Sequence, residues 1–187
     1  AGDQGLIIVD VSLPSDPIQL GRYNTPDFAR DIVLVDDIAF ISDGNGGLQV
    51  IDVTDPLQPQ FLTSMPTADY ARSLAVQGDT LYLTDGTAGL LIVDISNPLY
   101  PQPLGTFNHR GYARGVVVDG HFVYVAADNW GVHVFNVVDA TAPAWVGTYN
   151  TEGEGREVAV SQVQVFVSDE LAGLAILNYA NPYTNPP

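Results

Sequence analysis

The 187-residue chain is 46% hydrophobic and only 15% charged, which excludes a disordered polymer and leaves enough apolar mass for a sizeable core. Its 22 acidic residues face 6 basic ones, all arginine, and the net charge of −16 works against binding to nucleic-acid backbones or anionic membrane surfaces. With no cysteine there is neither a disulfide framework nor a sulfur-built zinc site, and no apolar run approaches the roughly 18 residues of a membrane helix.

In chain order, the first predicted element is the apolar run in "GLIIVDVSLP" (5–14), followed by a proline-led segment, "PIQLGRY" (17–23). We label these strands C and D and assign them residues 1–29. Arg30 then opens a full set of four strands, A to D, with an A–B hairpin turning at residues 36 and 37. The next set is the clearest: "RSLAVQG" (72–78) and "TLYLTD" (80–85) flank a Gly-Asp turn signal, "GLLIVDI" (89–95) follows, and "PQPLGTF" (101–107) comes last. Strand D holds proline, which cannot donate a ladder hydrogen bond, and so is expected at an edge. Full sets span 30–71, 72–113 and 114–155, and an A–B–C remainder spans 156–187.

These segments are copies of one unit. Gly5, Gly47, Gly89, Gly131 and Gly173 stand 42 residues apart, as do Arg30, Arg72, Arg114 and Arg156, with no insertion or deletion between them. Runs such as Val116-Val117-Val118 and Leu90-Leu91-Ile92-Val93 lack polar alternation, so both faces of their strands must be covered. Parallel α/β folds also cover both faces, but no loop here is long enough for a crossover helix. Four-stranded antiparallel sheets stacked face to face on sheets like themselves remain: an all-β, β-propeller fold with about four blades. Counted along the chain, seventeen strands compete for sixteen places. Either the first D strand completes the last sheet, or the two ends pair between molecules, or the chain is a piece of a longer propeller. The mid-repeat start and the lack of an initiating Met favour processing or truncation.

The repeated arginine has two readings. In the first, Arg30, Arg72 and Arg156 form cross-strand ion pairs with Asp43, Asp85 and Asp169, while Arg114 faces Ala127 with Asp128 one place on. In the second, the four guanidinium groups, aided by Phe28, Tyr70 and Tyr112 two residues earlier, grip an anion at the channel mouth. The motifs "DVTDP" (52–56) and "DISNP" (94–98) are read as turns in which Asp accepts an amide hydrogen bond from two residues on. Calcium is the alternative for such oxygen-rich loops, with Asp43 and Asn45 of "DGNGG" as weak candidates.

Catalytic patterns are missing: no nucleophile elbow, no Walker sequence, no dinucleotide fingerprint. His109, His121 and His133 are expected to be satisfied surface or core residues. Trp130 and Trp145 replace Gly46 and Phe61 of the first copy and are expected to pack, with a local binding patch as the alternative.

"GLLIVDISNP", "GLQVIDVTDP" and "GLIIVDVSLP", with "YARSLAVQGDTLYLTDG", resemble the LVIVD repeat family over the whole chain. The resemblance implies a β-propeller, typically of secreted or cell-surface bacterial and archaeal proteins, and carries no catalytic residues over. Asn136 and Asn178 depart from the family's Asp, and Glu154-Gly155 stands where an aromatic residue and Ala stand in other copies.

The sequence therefore leads to a non-enzymatic extracellular or cell-surface scaffold or adhesion module that self-assembles through complementary ends. Its partners are further copies, other surface proteins or glycans, and no cofactor is expected. A ligand- or calcium-binding propeller is the alternative, and a channel-sited hydrolase or lyase stands third.

Overall fold

The computed structural model describes residues 2, 4–161 and 164–178. Three complete four-stranded antiparallel sheets occupy its middle. The first holds β3 (Asp31–Val35), β4 (Ile38–Ser42), β5 (Leu48–Asp52) and β6 (Gln60–Met65). The second holds β7 (Ala71–Gln77), β8 (Thr80–Asp85), β9 (Leu90–Asp94) and β10 (Gln102–Phe107), and the third β11 (Val116–Asp119), β12 (Phe122–Ala126), β13 (Val132–Asn136) and β14 (Ala144–Tyr149). Each is a meander in sequence order, so the proline-bearing D strand lies at an edge.

Incomplete sheets flank these three. At one end β1 (Leu6–Asp10) pairs with β2 (Ile18–Tyr23); at the other β15 (Glu157–Ser161), β16 (Gln164–Ser168) and β17 (Leu174–Asn178) form a three-stranded sheet. The first D strand, β2, thus pairs with its own C strand and does not complete the last sheet; the array is open. Register explains this: five residue pairs join β1 to β2, from Leu6 opposite Tyr23 to Asp10 opposite Ile18, and closure would have to give them up.

Stacking accounts for the missing polar alternation. Along β4, Ala39 and Ile41 bury against Leu6 of the preceding sheet, while Phe40 joins Leu81 and Leu83 of the following one. Equivalent apolar layers fill the next two gaps, around Val123 and Phe135 and then around Tyr124 and Val167. The inner strands of the three complete sheets are apolar on both sides because each side meets another sheet.

Turns follow the repeat. The A–B hairpins turn through Asp36, Gly78 and Gly120, all at positive φ (51, 58 and 57°). After each C strand, Asp10, Asp52, Asp94 and Asn136 accept the amide hydrogen bond of Ser12, Thr54, Ser96 and Val138 at 2.8 to 2.9 Å. These are the turns anticipated for the Asp-containing motifs. The equivalent acceptor for Asn178 lies outside the described residues.

Candidate functional site

The A strands β3, β7, β11 and β15 run side by side. Where they meet, a cavity of about 330 Å³ is lined by Arg30, Asp31, Arg72, Ser73, Arg114 and Glu157. Three of the four repeated arginines therefore converge, but two carboxylates share the space. Asp31 Oδ2 accepts hydrogen bonds from Ser73 Oγ (2.8 Å) and the Leu74 amide (2.9 Å), tying one A strand to the next.

The ion pairs expected for Arg30, Arg72 and Arg156 with Asp43, Asp85 and Asp169 do not form. Those aspartates are buried and turned to the loop that arrives from the preceding sheet. Asp43 accepts the Asp27 amide at 2.9 Å, Asp85 the amides of Ala68 (2.7 Å) and Asp69 (3.0 Å), and Asp169 the Gly153 amide (2.8 Å) and the Thr151 hydroxyl (2.5 Å). The physical reason is that a buried carboxylate needs hydrogen-bond donors, and loop amides without a strand partner supply them, whereas a guanidinium open to water gains little from a counter-ion. Where the aspartate is replaced by Ala127, the arginine takes the acid one place on, Arg114 bonding Asp128 at 2.9 and 3.2 Å.

The other arginines use the aromatic residues singled out beside them. Arg30 lies 4.4 Å from the ring centre of Phe28 and 5.1 Å from that of Tyr70, and its Nε and Nη2 donate to Tyr70 Oη at 3.2 and 2.9 Å. Tyr112 is shared by Arg72 at 5.5 Å and Arg114 at 5.2 Å. Tyr70 and Tyr112 thus clip one sheet to the next, each contact stabilising by about 0.5–1 kcal/mol at such exposed positions. In the last copy Glu154 replaces the aromatic residue, and Arg156 pairs instead with Glu154 (2.7 Å) and with Glu170.

Of the two weak calcium candidates, Asp43 serves the backbone as above. Asn45 donates its amide and its Nδ2 to Asp27 Oδ2 at 2.7 and 2.8 Å. Among the described residues no group of three or more His, Asp or Glu side chains is placed to hold a metal ion.

A second cavity, about 610 Å³, lies where the end of β10 and the following loop meet β13 and β14. His109 and Arg110 come from the loop, Trp130 from the β12–β13 turn, His133 from β13, and Trp145 and Thr148 from β14. Trp130 and Trp145 are 42% and 57% exposed, which corrects the expectation that they pack into the core. Both histidines are buried, their rings 4.6 Å apart. The Arg110 carbonyl accepts from His109 Nδ1 (2.9 Å) and His133 Nε2 (2.8 Å), and a carbonyl has no proton to give, so both nitrogens carry hydrogen. His133 Nδ1 then accepts from the Thr148 hydroxyl (2.5 Å) and is satisfied as expected. His109 is not: its Nε2 is buried without a hydrogen-bond partner.

Individually none of these residues forms a motif. Their common mark is departure from the repeat: Thr25, Thr67 and Thr151 stand at the His109 position, and Ile7, Gln49, Leu91 and Ala175 at that of His133. Taking all departures together would have pointed to this place.

Burial holds the pKa of both histidines below the ordinary 6.5, outweighing the carbonyl that favours the charged form. Below pH 6.5 the unfolded chain therefore binds protons that the folded one refuses, and stability falls as pH falls through that window. Thermal melts at pH 7.5 and at pH values below 6.5 should show a drop that shrinks in the His109→Thr/His133→Leu variant; equal drops in both proteins would refute this assignment.

Solved structures share the architecture. The computationally designed Ika8 protein superposes with a TM-score of 0.76 at 11% identity, covering 95% of this chain and 54% of that one. The β-propeller domain of Cps50 (Swd1) from Myceliophteria thermophila gives 0.75 at 14%, covering 93% and 62%, and BamB from Moraxella catarrhalis 0.62 at 14%, covering 88% and 49%. The chain thus spans between about half and two thirds of each, and at these identities the likeness establishes the β-propeller fold alone. No protein of curated function matches the sequence. The LVIVD repeat model matches residues 1–25, 28–67, 68–109 and 110–151 in succession, and the chain belongs to the LVIVD repeat family.

Proposed function

We propose that this propeller is a non-catalytic scaffold of the cell exterior that associates end to end with further copies of itself. The observation that carries the reading is the state of the two terminal sheets. Ile7 and Val9 of β1 are 38% and 42% exposed, whereas the residues one repeat on, Gln49 and Ile51, are buried, Ile51 in a cluster with Leu6 of the preceding sheet. Leu174 and Ile176 of β17 are 62% and 52% exposed, whereas their counterparts Leu48 and Val50, and Leu90 and Ile92, are at most 1% exposed. Inside the array the face holding Leu48 and Val50 always looks toward the following sheet. One end of the molecule therefore offers the face that the other end lacks.

Faces that differ at the two ends make a head-to-tail contact, which propagates into a filament or closes into a ring. Apolar sheet faces left open in a soluble chain favour such cover. Support for a scaffold also comes from the repeated arginines: Arg30 and Arg72 lie against Tyr70 and Tyr112, which lead into the next sheet, and Arg156 reaches Asp128 of the preceding sheet at 3.8 Å. The net charge of −16 and the absence of lysine suit a saline exterior, where cations screen self-repulsion.

Sedimentation velocity over a rising concentration series tests the association. The expected result is growth of species larger than the monomer, abolished by Leu174→Asp/Ile176→Asp with melting temperature held, since both side chains are exposed. A monomer at every concentration would remove the proposal.

A further inference from the structure

We infer that the cavity beside β13 and β14 is a saccharide-binding site, favouring a sugar ring that carries a carboxylate. This rests on no part of the end-to-end reading, because the cavity is lined from the second and third complete sheets and by no residue of either terminal sheet.

Three observations lead there. First, the scaffold does not require these residues. The other copies hold the fold with Thr25, Thr67 and Thr151 at the His109 position, with Gln4, Gly46, Ala88 and Ala172 at that of Trp130, and with Ile7, Gln49, Leu91 and Ala175 at that of His133, so what one copy alone possesses answers to something other than the fold. Both tryptophans of the chain and two of its three histidines fall in this single place. Second, the aromatic surface is open. Trp130 and Trp145 keep about half of their surface in water, although large aromatic side chains gain most when buried. Third, His109 Nε2 is a buried acceptor with no donor, in a side chain that is only 8% exposed and lines the cavity. A native structure tolerates such an orphan where a ligand or water completes the set.

The lining then selects a chemistry. A volume of about 610 Å³ suits one or two small rings. Indole faces are electron-rich, and the faces of a pyranose present C–H bonds of slight positive charge, so the two stack while the sugar hydroxyls reach outward to polar side chains. Asn150 and Thr148 are there to meet them. Among the described residues that line the wall, Arg110 carries the one formal charge, its guanidinium 5.6 Å from the Trp130 ring. It repels cationic ligands and gives a carboxylate a charge-assisted partner. Aromatic cages for quaternary amines need the opposite, a wall without cations.

Both tryptophans being in the cavity, intrinsic fluorescence reports its occupancy directly. The chain is titrated with glucuronic acid and with glucose, following tryptophan emission and heat. The expected result is a saturable change with glucuronic acid, weaker for glucose, with affinity reduced at least about tenfold in Trp145→Ala and the preference for the acid lost in Arg110→Ala. Circular dichroism confirms that each variant is folded, and the indole Nε1–H resonances of the unmodified chain give a readout that needs no variant. No saturable change with either sugar, equal binding of the two, or full binding in folded Trp145→Ala would each overturn the assignment.

Discussion

Gly47→Ala should destabilise the chain by about 3 kcal/mol, combining left-handed backbone strain with a steric clash. Gly47 sits at φ +72°, and a Cβ built there would stand 2.5 Å from the Met65 carbonyl oxygen, where neither strand can yield without breaking the β5–β6 ladder. For a domain of this size the melting temperature should fall by roughly 6–12 °C. Gly78 supplies the control. It has φ +58° but nothing within 4 Å of its would-be Cβ, so Gly78→Ala should cost only the strain, about 1 kcal/mol. Calorimetry giving equal losses for the two would show that the close approach of the C strand to its neighbour is not what fixes this glycine every 42 residues.

Asp85→Ala should cost about 1–3 kcal/mol, because it removes a buried carboxylate that accepts from two backbone amides. Asp85 is 2% exposed and is the partner of the Ala68 and Asp69 amides in the loop joining β6 to β7. Hydrogen exchange should locate the damage, with amides 68 and 69 losing protection before those of β8. Protection unchanged at 68 and 69, or a loss below about 0.5 kcal/mol, would show that water replaces the carboxylate without penalty. Ala127 occupies this position in the third complete sheet, where His109 also replaces the threonine. The sheet that lacks the carboxylate clasp is the one that carries the open aromatic cavity.

Period and patterning made the fold legible. A 42-residue step without gaps and apolar runs without alternation predict stacked four-stranded sheets, and the turns at Gly78-Asp79 and after Asp52 and Asp94 fall where their residue types place them. The pairing of the repeated arginine was not legible. A cross-strand acid is a fair partner by sequence, but the amides that claim Asp43 and Asp85 come from the loop that arrives from the preceding sheet, and Tyr70, which claims Arg30, stands 40 residues away. Contacts between sheets follow the stacking, which sequence reveals only as a period. The aromatic cavity was hidden for the opposite reason: repetition drew attention to what recurs, and His109, Arg110, Trp130, His133 and Trp145 are joined by not recurring. The open ends, too, depend on β2 choosing β1 as its partner over the equivalent strand β17, a competition between similar C strands that three-dimensional register decides.

Electron microscopy of the concentrated chain tests the end-to-end reading most directly. It should show β15–β17 of one copy stacked on β1–β2 of the next, with Leu174 and Ile176 covered. Particles with both terminal sheets facing solvent, or a ring closed by a single chain on itself, would contradict it.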